Sequence, residues 1–120
     1  MSGIAGVIGI HTDEVIYQKM LKTMGKRGPD GNGVWACEDC CLLYSRLSDG
    51  EQDTGMLPMS TRWGDEEYTI VFSGNIYNGE EIRSELLRSG HSFHTQADAE
   101  TVLRAYVQWK ELALDKFNGI

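Results

Sequence analysis

A chain of 120 residues, 41% apolar and 24% charged, has room for one soluble globular domain and is too apolar to stay disordered. Its 18 acidic residues outnumber 11 scattered basic ones, leaving a net charge of −7, which argues against a nucleic-acid partner because a phosphate backbone needs clustered Lys and Arg. The longest apolar run, Ile4 to Ile10, is broken by Gly6 and Gly9, is too short to span a bilayer and lacks signal-peptide flanks, so a cytoplasmic protein with no membrane partner is expected.

The opening Gly3–Ile10 segment, apolar and spaced by glycines, reads as a buried strand that another backbone can approach closely. Thr12 or Asp13 can cap a helix running to about Gly25, with Val15, Ile16, Met20, Leu21 and Met24 at helical spacing. Residues 26–33, Lys-Arg-Gly-Pro-Asp-Gly-Asn-Gly, are too rich in Gly and Pro for a helix or a central strand and read as an ordered loop. Strand-like runs follow near Gly33–Ala36 and Cys40–Ser45, then a polar loop from Ser48 to Gly55. Tyr68–Phe72, β-branched and aromatic, is the clearest strand and runs into the turn Ser73-Gly74-Asn75.

The second half is more helical. Asn78 can cap a helix over about Gly79–Arg88 with Ile82, Leu86 and Leu87 on one face and Gly90 as its stop. An extended piece, His91–Thr95, leads to a helix from Ala97 or Asp98 to Trp109 with Val102, Leu103, Tyr106 and Val107 as its buried stripe. A short last helix covers Glu111–Phe117. This order predicts an α+β or layered αββα architecture over residues 1–120 as a single domain, without an alternating parallel sheet.

Cys37, Cys40 and Cys41 are odd in number and crowded, which suits reduced thiols around a turn better than a disulfide framework. Cys37 and Cys40 have C-x-x-C spacing, but a zinc site would have to borrow His91 or His94, which straddle Phe93 and read as surface residues, so no metal is expected.

Four segments taken together carry a resemblance. Met1-Ser2-Gly3-Ile4-Ala5-Gly6 is similar to M-C-G-I-A-G, and Lys26-Arg27-Gly28-Pro29-Asp30 to H-R-G-P-D. Ser45-Arg46-Leu47-Ser48 is similar to R-R-L-S, with Met56-Leu57-Pro58-Met59 after it, and Phe72-Ser73-Gly74-Asn75-Ile76-Tyr77-Asn78 to F-N-G-E-I-Y-N. With Ala97-Asp98-Ala99-Glu100 and Phe117-Asn118-Gly119-Ile120 they cover nearly the whole chain, which resembles the amino-terminal half of a class II glutamine amidotransferase domain of the asparagine-synthetase type. The resemblance implies the four-layer αββα sandwich of N-terminal-nucleophile hydrolases, of which this chain is the amino-terminal part.

It also implies a chemistry. An N-terminal cysteine attacks the side-chain amide of glutamine with its own α-amine as base, and ammonia passes to a synthetase site. That requires a nucleophile first in the chain after removal of Met1, donors around the oxyanion, and ionic groups that clamp the amino-acid end of glutamine. Position 2 is Ser2, whose hydroxyl is far less acidic than a thiol. In the oxyanion turn Gly74 is kept, but Ser73 replaces Asn, and Asn75 replaces the Glu that receives the substrate ammonium. Asp49-Gly50 replaces an apolar pair. Arg46 matches the arginine that forks onto the substrate carboxylate. Asp98 matches the acid that helps hold the ammonium, and as a plain residue it would cap its helix; Arg27 reads as structural.

Scaffold positions such as Gly3, Gly28, Pro29, Gly74, Tyr77 and Asn78 match the family, while the Cys, Asn and Glu positions do not. Two functions follow from that pattern: a glutaminase domain with impaired activity, or an inactive domain kept for its shape and for docking. No ATP-binding pattern occurs, so the chain is expected to carry no cofactor, with ATP and Mg confined to a synthetase domain. In the family an apolar strand follows N-G-I, whereas Ile120 is the last residue here. A fragment is expected, completed by its synthetase domain or by a second chain, and a homo-oligomer is compatible with that.

Overall fold

The computed structural model describes residues 2–48 and 56–120, which form five strands, three α-helices and a 3-10 helix. They gather into two compact units. The described residues of the first are 2–48, 56–58 and 70–73; those of the second are 59–69 and 74–120.

The first unit contains strand β1 (Gly3–Ile8), helix α1 (Glu14–Met24) and strands β2 (Gly31–Cys37) and β3 (Cys40–Arg46). The three strands form one antiparallel sheet in the order β1-β3-β2. Pairing places Ala5 opposite Leu43 and Val7 opposite Cys41, so these side chains share the face on which α1 packs. Leu21, Cys41 and Leu43 are buried there. Ile4 and Ile8 point to the opposite face and are 48% and 81% exposed.

Asp13 starts α1 by accepting a hydrogen bond from the Ile16 N–H (3.0 Å), an N-cap that satisfies one of the helix's free donors. Gly33 sits opposite Tyr44, and a Cβ there would collide with the Leu57 carbonyl and the Pro58 ring. The bare position lets Leu57 and Pro58 lie against β2 on the face that carries Tyr44, which is buried.

In the second unit, β4 (Met59–Trp63) and β5 (Glu66–Ile70) form a hairpin whose two-residue turn begins with Gly64 at φ +63°, a conformation glycine adopts without steric cost. Helices α2 (Gly79–Arg88) and α3 (Asp98–Trp109) follow, then the 3-10 helix (Lys110–Asp115). Ile82, Leu86, Ala105 and Ala113 are the buried core, flanked by Ile76, Phe93, Trp109 and Phe117.

Arg83 ties this unit together. Its guanidinium donates to the Thr101 hydroxyl (2.7 Å) and to the Thr95 and Ala97 carbonyls (2.8 Å each), and lies 4.2 Å from the Phe93 ring centre. Arg83→Met keeps the apolar stem and removes all three bonds, and is expected to lower stability by about 2–3 kcal/mol in urea denaturation.

The predicted elements are present as antiparallel sheets and segregated helices, a mixed α and β fold, with differences that have physical causes. β4 was not anticipated. The strand expected at Tyr68–Phe72 lies at Glu66–Ile70, because β4 supplies partners only that far. The opening strand is covered on one face, not both. On α1 only Leu21 is buried, and Val15 and Ile16 are 63% and 49% exposed, because the sheet reaches only its last turns. Tyr106 of α3 is 45% exposed and Leu87 of α2 57%; Ala99, Leu103, Ala105 and Val107 form the buried side of α3 instead.

His91 is a clearer correction: expected at the surface, it is 3% exposed, stacked on Trp63 (4.1 Å between centroids, 14°) with Nε2 2.9 Å from Gln108 Oε1. The unanticipated β4 carries Trp63, and that strand is what buries His91. His94 is exposed, as expected. Asn78 occupies the N-cap of α2, yet its amide group donates to the Lys116 carbonyl and accepts from Asn118 N–H instead of capping the helix (2.8 Å each). The final helical stretch is a 3-10 helix that begins one residue early.

Candidate functional site

Ser2 precedes β1 and is held at both its carbonyl and its hydroxyl. The carbonyl accepts from Arg27 Nε (3.1 Å) and from the Ser73 hydroxyl (3.0 Å). The hydroxyl oxygen accepts from the Tyr44 hydroxyl (2.9 Å) and from the backbone N–H of Leu47 (3.0 Å). These partners come from the loop after α1, the end of β3 and the segment after β5. The geometry fixes Ser2 Oγ as the acceptor of two converging donors.

The loop carrying Arg27 is seated by Gly28, where a Cβ would collide with the Ser45 carbonyl. Ser45 is fully buried and its hydroxyl donates to the Gly28 carbonyl (2.8 Å). Asp30 then joins the loop to the end of β3: its N–H donates to the Arg46 carbonyl (2.8 Å), its carboxylate accepts from Ser48 N–H (2.7 Å), and its carbonyl accepts from Arg46 Nη2 (3.1 Å). Arg46 itself is exposed. Arg27 has a more specific part than the structural one expected of it, because it grips the carbonyl of Ser2.

The six candidates divide between the two units: Ser2, Arg46 and Ser73 belong to the first, Gly74, Asn75 and Asp98 to the second. Within the first, Ser73 meets Ser2 directly, while Arg46 meets Asp30. Within the second, Asp98 Oδ2 accepts from Ile76 N–H (2.9 Å), so the carboxylate holds the residue next to Asn75. That corrects the helix-cap alternative for Asp98: Ala97 occupies the N-cap and Asp98 is the first residue of α3. Asn75 is exposed, and its backbone exchanges two hydrogen bonds with Ile120 (2.9 Å each) across a bridge between Ile76 and Gly119. Met1 and Asp49-Gly50 lie outside the described residues, as does most of the loop expected at Ser48–Gly55.

Tyr44 and Leu47 were not singled out in the sequence. One signal was available: Tyr44 stands two residues before Arg46, so the two share a strand face, and the strand leads straight into Leu47. Cys37 and Cys40 are register partners closing the β2–β3 hairpin, and burial first, then the neighbouring Cys37, Cys41 and Asp39, pushes the Cys40 thiol above its usual range. Among the described residues no three His, Cys, Asp or Glu side chains gather as metal ligands, and no helix is long and apolar enough to cross a membrane.

Residues 1–120 match the glutamine amidotransferase domain family along their whole length. The chain is 34% identical to asparagine synthetase [glutamine-hydrolyzing] 3 of Bacillus subtilis, aligning over 100% of itself and 20% of that protein. It is 35% identical to asparagine synthetase [glutamine-hydrolyzing] 1 of the same organism, over 100% of itself and 20% of that protein. It is 30% identical to asparagine synthetase B [glutamine-hydrolyzing] of Escherichia coli, over 100% of itself and 22% of that protein. The chain thus spans about a fifth of the length of the curated relatives it matches. Matched along its whole length by that family and by these synthetases, the chain belongs to the glutamine amidotransferase domain family, in its asparagine-synthetase type.

Proposed function

We propose that the chain is the glutamine-binding side of a glutamine-hydrolysing synthetase, with its amide-cleaving step impaired by the residue types at positions 2, 73 and 75. The observation that carries this reading is the seat of Ser2 Oγ between the Tyr44 hydroxyl and the Leu47 N–H. A side chain kept only as a small neighbour of glycines has no need of two converging donors. In the full reaction the group at position 2 adds to the amide carbon of glutamine while the α-amine takes its proton. Ammonia leaves, and water then releases glutamate from the acyl-enzyme.

Each departure weakens a different part of that cycle. Serine supplies far less anion near neutral pH than cysteine. The Ser73 hydroxyl is directed to the Ser2 carbonyl, so it does not supply the amide donor that the family's Asn gives the oxyanion. Asn75 offers no negative charge to the substrate ammonium. Asp98 and Arg46 remain for the two ends of the amino acid.

In this reading ammonia serves a synthetase site, where ATP and Mg act, and the exposed Ile4 and Ile8 face is covered by the second sheet of a four-layer sandwich. The sandwich is completed by a synthetase-bearing continuation or by a second chain, and the whole is cytoplasmic.

The test is glutamate release at saturating glutamine, with removal of Met1 verified by intact mass. The natural sequence is expected to be near background. Ser2→Cys combined with Ser73→Asn and Asn75→Glu is expected to release glutamate at least about 100-fold faster, since one oxyanion donor alone is worth about 100- to 1,000-fold. An inert triple variant that is folded and lacks Met1 would favour the second reading, a domain kept for shape and docking, which the redirected Ser73 hydroxyl supports.

A further inference from the structure

We infer that Tyr44 is a positioning residue that sets the acidity of the nucleophile at position 2, acting with the Leu47 N–H as a two-donor seat for its anion; this rests on the reading of position 2 as the nucleophile. Both donors converge on Ser2 Oγ, at 2.9 and 3.0 Å. The backbone N–H can only donate, and the phenol donates beside it. Both therefore favour the charged form of whatever atom occupies the position, because a hydrogen bond to an anion is about twice as strong as one to a neutral group.

The placement of Tyr44 makes this donor a fixed one. Register sets it opposite Ile4 on one side and Gly33 on the other, on the sheet face shared with Ile4. Ser2 lies two residues before Ile4, so its side chain falls on that same face and the phenol reaches it along the diagonal. Gly33 has no side chain to displace the ring, and Leu57 and Pro58 lie against that bare position. At 6% exposure, with the ring buried on the sheet, the hydroxyl has little freedom to turn away. Leu47 follows β3 directly, and its N–H is aimed by the same strand end that Asp30 clamps.

The seat is separate from the groups that handle the oxyanion and the substrate's charged ends. It acts before glutamine arrives, on the proton equilibrium of the nucleophile. Tyr44→Phe deletes one oxygen and keeps the ring packing, so its effect reports the donor and not the fold.

The test uses Ser2→Cys with and without Tyr44→Phe, Met1 removed. Alkylation of the cysteine by iodoacetamide is followed against pH by mass spectrometry of the amino-terminal peptide. Loss of the phenol is expected to raise the midpoint of alkylation by about one pH unit, the scale of one hydrogen bond to a charged group. The exposed Cys37 serves as internal reference, and its alkylation profile must not move. A midpoint at position 2 that is unchanged by Tyr44→Phe, in a variant with unaltered thermal melting, overturns the inference. A parallel glutaminase assay separates the two ideas. If the midpoint shifts but no position-2 variant ever releases glutamate, the seat is real and the nucleophile reading fails.

Discussion

Glu100→Ala is expected to cost about 3–5 kcal/mol, a large fraction of the stability of any domain of this size. The carboxylate is 3% exposed and accepts four hydrogen bonds from three donors in one turn. His94 N–H reaches both oxygens (3.0 and 3.1 Å), and the N–H and hydroxyl of Thr95 reach Oε1 (2.7 and 2.8 Å). Alanine would leave buried donors without acceptors, at the full desolvation cost of each. It would also strip the buried Arg104 of its counter-charge, since Nε lies 4.0 Å from Glu100 Oε2 and has no hydrogen bond among the described residues.

The pH dependence has a definite sign. Burial pushes the Glu100 carboxyl up, but the hydrogen bonds from His94 and Thr95, with Arg104 nearby, together outweigh it and hold the group below its ordinary value of 4.5. A depressed folded-state value means the unfolded chain binds this proton more readily. The stability Glu100 contributes is therefore present above the ordinary value and is lost as pH falls below it through the depressed one. Urea denaturation from neutral pH down to about pH 3 should show Glu100→Gln closing its gap to the natural protein in acid. A gap that stays constant with pH would sink the assignment.

Gly28→Ala is the second large effect, expected at about 3 kcal/mol or more, from backbone collision instead of lost charge. The added Cβ would meet the carbonyl carbon and oxygen of Ser45 and the nitrogen of Arg46. These are backbone atoms of the central strand, paired on both sides, and cannot rotate aside as a flexible side-chain tip would. The loop must move instead, and it carries Arg27 away from the Ser2 carbonyl and Asp30 away from Arg46. In the cysteine-restored background the glutamate release rate should fall together with stability. Gly79→Ala is the matched control: the nearest atom to its new Cβ would be 3.8 Å away, and the denaturation midpoint should hardly change.

Local rules were legible wherever a residue acts on its own chain neighbours. Asp13 caps α1, Gly90 at φ +96° stops α2, and the β2–β3 hairpin falls between Cys37 and Cys40. β4 was hidden because Pro58 precedes it and its alternation, Met59, Thr61 and Trp63 against Ser60 and Arg62, spans only five residues. Once β4 is missed, the burial of His91 under Trp63 cannot be foreseen. At the site, motif matching located Ser2, Arg46, Ser73 and Asp98 by type, but their partners depend on register and on long-range return of the chain. Which atom Ser73 addresses, and that Tyr44 reaches Ser2 at all, are facts of pairing that no window of sequence contains.

The anchoring of Ser2 has a consequence for the order of events during synthesis. Its partners lie 25, 42, 45 and 71 residues further along the chain. At about 5–20 residues per second the last of them is made roughly 4–15 s after Ser2. Until then Ser2 lacks its full set of anchors. Assembly around Ser2 is thereby paced by chain length: its carbonyl gains its second donor only once Ser73 has been made.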